Sequence, residues 1–307
     1  VEVNKLVRGH SSPWKANKRI DRHNFPVTLE YQNEIDAQLR DGIYDPELLK
    51  NGYYIDVNCC RPYSKYKNEI LKLGIGVSQI SEVAGIKLEI AFQLTEPLPV
   101  ESIPGFAEGY FSVQDACAQV AGALLGDQSG KRVLDACAAP GGKACHILER
   151  GEAQLDALEI DSKRAKRIEE NLARLRLNAR VIVGDALIPT WWDGRLYDTI
   201  VADVPCSASG IVRRHPDIPY LREESDIQQL QFLQREILVA LWPLLKPGGR
   251  LLYVTCSVFP EEGELQAQWW LNKTKDAVRL EAPGQIFPTS CHDGFFYALF
   301  EKLNTSH

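Results

Sequence analysis

From residue 132 onward the chain alternates short apolar runs with helix-patterned stretches, and few folds accommodate that rhythm. The runs are RVLDA (132–136), LDALEI (155–160), RVIVG (180–184), DTIVAD (198–203) and RLLYVT (250–255). Between them lie a helix from Gly141 to about Arg150, a basic amphipathic helix with Ile168, Leu172 and Leu175 on one face, and a helix from about Asp226 to Leu245. Strands joined through helices cross over and pair in parallel, and a parallel sheet needs both faces covered. A doubly wound parallel α/β sheet is therefore expected, closed by VRLE (278–281) and FFYALFE (295–301) as a hairpin-like pair.

The first hundred residues follow a different pattern. A helix is expected near Leu29–Leu39, a strand at YYIDV (53–57) and a helix over YKNEILKL (66–73) ending at Gly74. GIGV and IKLEI (86–90) read as strands, and a helix is expected over 112–125, with Val113, Cys117, Val120 and Leu124 on one face. At about 150 residues per domain, 307 residues suggest two domains. The division falls into a smaller N-terminal α/β module of RNA-binding type with a helical lead-in, 1–105, and a larger domain, 106–307.

With 45% hydrophobic and 25% charged residues, the composition is that of a globular chain. No apolar run approaches the roughly 18 residues a membrane span needs, and no signal peptide is expected, since the first residues have no apolar stretch. A soluble, cytoplasmic, monomeric protein without membrane contact is expected. The net charge of −6 argues against coating nucleic acid nonspecifically, yet residues 1–24 carry six Lys/Arg against two acids and residues 163–180 carry seven against two. Eight cysteines form no CxxC pair, and no His/Cys spacing fits a zinc site, so free thiols and no metal are expected. Methionine is absent, and the chain reads as a fragment or processed product.

Ligands of open α/β sheets bind beyond the carboxyl ends of the strands, where strand order reverses. The first strand ends in Asp135-Ala-Cys-Ala-Ala-Pro-Gly-Gly-Lys143, a turn whose small residues admit a ligand close to the backbone and to a helix N-terminus. A P-loop fails, because Cys137 replaces the first glycine and Ala144 the Ser/Thr, and GxGxxG is missing. Glu159 ends the second strand, where an acid would bond ribose hydroxyls, and Asp185 ends the third. Acids at successive strand ends suit a nucleoside-bearing ligand without pyrophosphate, such as S-adenosylmethionine.

The fourth strand ends in Asp203-Val-Pro-Cys206-Ser and the fifth in Thr255-Cys256-Ser257, so two cysteines share the cofactor edge. A buried cysteine is usually a small hydrophobe, but a thiolate has a use here. Carbon 5 of cytosine is a poor nucleophile until a thiolate adds at C6, which splits one hard step into two easier ones. Asp203 would bond the N3/N4 edge of the ring. Arg213 and Arg214 would clamp phosphate beside a cytosine drawn out of its stack, and Trp14 could stack a base. Trp269 and Trp270 read as core.

DACAAPGGK, DVPCSASG, RRHPDI (213–218) and TCSVFPEE together resemble the Sun/NOL1/NOP2 family of RNA cytosine-C5 methyltransferases over roughly residues 105–300. The resemblance implies a Rossmann-like class I S-adenosylmethionine-dependent methyltransferase sheet, and the bacterial members it is most similar to act on 16S ribosomal RNA of the small subunit. It implies that Cys256 attacks and Cys206 assists release of the methylated product. Cofactor contacts would fall on Cys137, Ala138, Ala139, Pro140, Gly141, Gly142, Lys143, Glu159, Asp185 and Asp203. The family more often has Asp at position 159; Glu is longer but keeps both acceptor oxygens. Such bacterial members usually carry a further helical RNA-binding domain ahead of this region; this chain is expected to be a fragment or to rely on other surfaces. Two readings share these motifs: the same reaction on tRNA or another rRNA site, and a non-catalytic RNA-binding or assembly factor.

Overall fold

In the computed structural model, residues 56–59 and 63–304 are described. The helix expected near Leu29–Leu39, the basic stretch 1–24 with Trp14, residues 53–55 and Cys60 lie outside them. Among the described residues, no helix is long and apolar enough to cross a membrane.

The larger sheet has seven strands. In chain order they are β7 (Arg132–Ala136), β8 (Gln154–Glu159), β9 (Arg180–Val183), β10 (Tyr197–Asp203), β11 (Leu245–Thr255), β12 (Ala277–Ile286) and β13 (Phe295–Lys302). Their spatial order is β12-β13-β11-β10-β7-β8-β9. The five strands β7 to β11 are parallel, as their helical connections require, and β13 and β12 add on antiparallel. The chain runs outward through β8 and β9, then returns to lay β10 on the other side of β7. The reversal therefore lies between the carboxyl ends of β7 and β10, where a crevice opens.

Side chains alternate across the sheet with the strand period of two. Val133, Val201, Leu252 and Val254 pack under α2 (Ala116–Leu125), α3 (Gly142–Arg150) and α4 (Ser162–Leu175), and α4 buries Ile168, Leu172 and Leu175 as its periodicity predicts. Leu134, Ile200, Ala202, Leu251 and Tyr253 face α5 (Glu224–Leu241) and α6 (Glu264–Lys273). Trp270 is in that core; Trp269 is half-buried beside it, under Arg235.

A smaller antiparallel sheet has the order β2-β5-β1-β6, from β1 (Asp56–Cys59), β2 (Val77–Gln79), β5 (Ala91–Leu94) and β6 (Phe111–Val113). Helix α1 (Tyr63–Lys72) covers it with Tyr66 and Ile70, against Phe92, Leu94, Ile103 and Phe111. The sheet extends past residue 105, since Phe111–Val113 pairs with Cys59–Val57. Four elements depart from expectation. Of GIGV only Val77 is in a strand, β2, because Gly74 turns the chain after α1 with φ +78°. The helix over 112–125 starts only at Ala116, because the FSV segment is taken by the sheet and Asp115 caps the helix through the Cys117 N–H. Only Ile86–Lys87 of IKLEI is a strand, β4, in a tight hairpin with β3 (Glu82–Val83), and Ala91–Leu94 beyond it forms β5. Helix α5 stops at Leu241 rather than Leu245, since Pro243 cannot continue it.

At the amino edge of the large sheet, Asp156 on β8 accepts from Arg132 on β7 at 2.9 Å, Arg180 on β9 at 2.8 Å and the Tyr197 hydroxyl on β10 at 2.6 Å. One carboxylate thus ties four strands together, and removing it takes one of two carboxylate partners from the buried Arg132 guanidinium, Asp193 being the other. Asp156→Ala is expected to cost about 3 kcal/mol, read as a lower urea midpoint with unchanged slope.

Candidate active site

The turn after β7 is built for close approach. Cys137 has φ +64° and Gly141, which starts α3, has φ +100°. A Cβ at Gly141 would stand 3.3 Å from Ile168 Cα, so the turn is pressed onto α4. The Asn171 amide donates to Pro140 O at 2.9 Å and Arg164 to Ala139 O at 3.2 Å. Ala138, Ala139, Pro140, Gly142 and Lys143 complete the loop over the crevice. Glu159 lies beneath it, accepting from Ala139 N at 3.3 Å and Asp161 N at 3.1 Å, with Arg164 at 3.4 Å. Its side chain is only 1% exposed. Asp185 is half-buried and accepts from Leu187 N, while Trp191 donates to its carbonyl oxygen.

Because β10 and β11 pair in parallel up to Asp203 and Val254, the loops that follow them emerge side by side. Cys206 Sγ and Cys256 Sγ lie 3.4 Å apart, a thiol hydrogen-bond contact. The hydrogen bond to Cys256 pushes the Cys206 thiol well up, and burial and the charge of Cys256 act in the same direction. Either sulfur can donate in this contact, and the raised Cys206 thiol favours its protonated form. The fold places cations to face the Cys256 sulfur. Burial works against the Lys143 ammonium, but its 2.7 Å ion pair with Asp203 outweighs this and keeps it charged, with Cys256 among the negative groups it senses. Arg214 senses Cys256 likewise. Burial pushes the thiols of Cys117, Cys137 and Cys145 up, which leaves them inert.

Glycine is required where the two loops meet the β12–β13 connection. Gly210 donates to Cys256 O at 2.9 Å and accepts from Gly294 N at 2.8 Å, and a Cβ there would stand 2.2 Å from Gly294 O.

Arg213 and Arg214, expected beside a phosphate, are held by carboxylates. The Arg213 side chain is 6% exposed and pairs with Asp115 at 3.1 Å and Asp293 at 3.4 Å. Arg214 pairs with the same Asp293 and is one-third exposed. Two buried acids facing each other need cations, and these arginines supply them. Asp115 and Asp293 were not read as site residues, since positions 178 apart show no local signal of contact. Glu262, within TCSVFPEE, carries no sequence signal of its role, yet it is fully buried and binds both cysteine loops.

Asp135 points toward the same centre from β7. It is fully buried, with the Ala144 backbone N–H beside it at the start of α3. Burial, then the Asp203 charge, push its pKa up to about 8 against the pull of Lys143.

Fold and site together define a Rossmann-like class I methyltransferase domain, in which a turn after the first strand faces two strand-end thiols. The chain belongs to the 16S rRNA methyltransferase RsmB/F family, whose profile matches residues 122–301. It is 52% identical over 222 residues to Ribosomal RNA small subunit methyltransferase B of Vibrio cholerae serotype O1, covering 70% of this chain and 51% of that protein. It is 50% identical over 221 residues to the protein of that name from Cronobacter sakazakii, covering 69% and 52%. The chain thus spans about half the length of the curated relatives it matches. A solved methyltransferase homolog protein from Pyrococcus horikoshii superimposes with a TM-score of 0.71 at 26% identity, over 84% of this chain and 89% of that one. NSun6 from the same organism shares the fold, with a TM-score of 0.69 at 20% identity, over 91% of this chain and 98% of that one.

The raised pKa of Asp135 has a stability signature. Between its ordinary 3.8 and about 8 the unfolded carboxyl is ionised while the folded one keeps its proton, so the folded state binds more protons and loses stability as pH rises. Urea midpoints of the wild type are expected to fall relative to Asp135→Asn from pH 4 to pH 8 and run parallel above it; parallel curves throughout would show an ordinary carboxylate.

Proposed function

We propose that this chain carries the catalytic half of an S-adenosylmethionine-dependent RNA (cytosine-C5)-methyltransferase whose substrate is a cytosine of 16S rRNA in the small subunit. The observation that carries this reading is the 3.4 Å contact of Cys206 with Cys256, beside the Lys143–Asp203 pair. Transfer to oxygen or nitrogen does not call for a thiol, whereas C5 of cytosine needs covalent activation. The names of the relatives support the RNA assignment.

The donor set suits the cofactor. Glu159 and Asp185 stand at successive strand ends as acceptors for hydroxyl and amino groups, and the turn Cys137–Lys143 offers backbone at close range. Bound there, S-adenosylmethionine supplies an electrophilic methyl group on a sulfonium.

Cys256 gives its thiol proton to solvent as its Sγ adds to C6 of the cytosine, the C5=C6 π pair moves to C5, and the proton is regained when the sulfur departs. Asp203 hydrogen-bonds the N3/N4 edge and holds the ring over the thiol, with Lys143 holding Asp203 in place. C5 takes the methyl group, and the electron pair of the broken carbon–sulfur bond stays on the cofactor sulfur. Once Cys256 is a thioether, the hydrogen bond and charge that kept Cys206 protonated are gone. Cys206 then gives its proton to solvent and takes the C5 proton. The C5=C6 bond re-forms as Cys256 Sγ departs with its pair. The segment 1–105 acts as an RNA-binding module, and Arg214 is the arginine of the RR pair with exposure enough to meet the RNA.

Incubation with methyl-labelled S-adenosylmethionine and either 16S rRNA or total tRNA tests this, with bisulfite sequencing of the product. One protected cytosine in 16S rRNA is expected. Label confined to tRNA would keep the chemistry and change the substrate; no label in either would overturn the reading. Cys256→Ala is expected to abolish turnover and leave cofactor binding intact. Cys206→Ala is expected to trap a covalent RNA–protein adduct as a slow band on a denaturing gel, and an adduct from the Cys256 variant instead would reverse the two roles.

A further inference from the structure

The contact between Cys206 and Cys256 joins two loops 50 residues apart in sequence, and neither thiol holds the other in place by itself. The span is bridged by Glu262. This side chain is fully buried and belongs to the short turn Pro260–Glu262 that follows the second cysteine. Its two oxygens accept four hydrogen bonds. Oε1 takes Ser207 N at 2.9 Å and Gln234 Nε2 at 3.0 Å; Oε2 takes the hydroxyls of Ser207 and Ser257, the latter at 2.6 Å.

Ser207 follows Cys206 directly and Ser257 follows Cys256 directly, so one carboxylate grips the residue next to each thiol. Four donors match the four lone-pair sites of a carboxylate, and they pull against the burial that raises its pKa. Gln234 also donates to Pro205 O at 3.0 Å, on the other side of Cys206. The backbone of Glu262 is held in turn, since Tyr253 donates to its carbonyl at 2.8 Å and Thr255 at 3.2 Å, both from β11. Ser209 completes the set, 3.1 Å from each of the other two serine hydroxyls.

We propose that Glu262 is the positioning residue that sets the spacing of the two thiols, so that attack and release act on one cytosine. The inference rests on the covalent reading above for its kinetic consequence, but not for the spacing itself. Glu262 touches neither substrate nor cofactor in this account; it acts through Ser207 and Ser257. A carboxylate is suited to the task because its hydrogen bonds to hydroxyl and amide donors are charge-assisted and short. Their convergence on one buried group couples the loops, so that neither moves without the other.

Phenylarsine oxide reads the spacing without RNA or cofactor. Its arsenic(III) centre bonds both sulfurs, taking two thiol protons and its own oxygen away as one water, and holds a single thiol far more weakly. The measurement uses the whole chain with Cys59→Ser and Cys60→Ser, which removes the other adjacent cysteine pair. Cys206→Ala and Cys256→Ala give the single-thiol baseline. Glu262→Ala is expected to weaken arsenical binding at least tenfold toward that baseline. It should also lower kcat about a hundredfold, the scale of a misplacement near 1 Å, with KM for S-adenosylmethionine within twofold. Glu262→Gln, whose amide can meet the same partners with the hydroxyls turned round, is expected to recover most of the arsenical affinity.

Wild-type arsenical affinity in Glu262→Ala would overturn the proposal, whatever the activity. If that variant fails to fold, Ser257→Ala decides: a drop of about threefold in arsenical affinity is expected, and no change would overturn the inference. Absence of methyl transfer by the wild type would defeat the functional reading alone, because the arsenical comparison needs no turnover.

Discussion

The parallel pairing of β10 between β7 and β11 is the constraint on which the site depends. Hydrogen bonds from Thr199 to Asp203 on one edge and from Arg250 to Val254 on the other fix where both strands end. The fixed ends deliver Cys206 and Cys256 to one place. On the other side β10 pairs with β7, so the cradle from Cys137 to Lys143 opens against Asp203. No side chain has to search for its partner, because the ladder sets the registry and the loops are short.

The electrostatics follow from that placement. Asp135, Glu159 and Asp203 converge from three neighbouring strands, where burial and the charge of Asp203 raise the pKa of Asp135. Lys143 compensates Asp203, Arg164 attends Glu159, and Asp135 meets the surplus by keeping its proton. A second balance lies behind the thiols, where Asp115 and Asp293 take Arg213 and Arg214. Through Asp293 this cluster anchors the loop whose neighbour Gly294 bonds Gly210, which bonds Cys256. The two arginines thereby stiffen the wall of the site, the work their sequence position beside the PC segment did not reveal.

Much of this was legible in the chain. Alternating strands and helices, the period-two faces of RVLDA and DTIVAD, and turn chemistry at Pro-Gly-Gly are local properties, so the parallel sheet and its cofactor edge could be read from them. The small sheet was less legible: strands of two to four residues, such as Ile86–Lys87, carry too little pattern to separate from loop. What only the tertiary structure decided is which distant charges meet. Glu262 with Ser207, and Asp115 with Arg213 and Asp293, lie 55, 98 and 178 positions apart. The sequence determined the fold and the edge where chemistry is possible, because hydrogen-bond periodicity is local. The structure decided the partners of the buried charges, because Coulomb attraction depends on distance in space and is indifferent to distance along the chain.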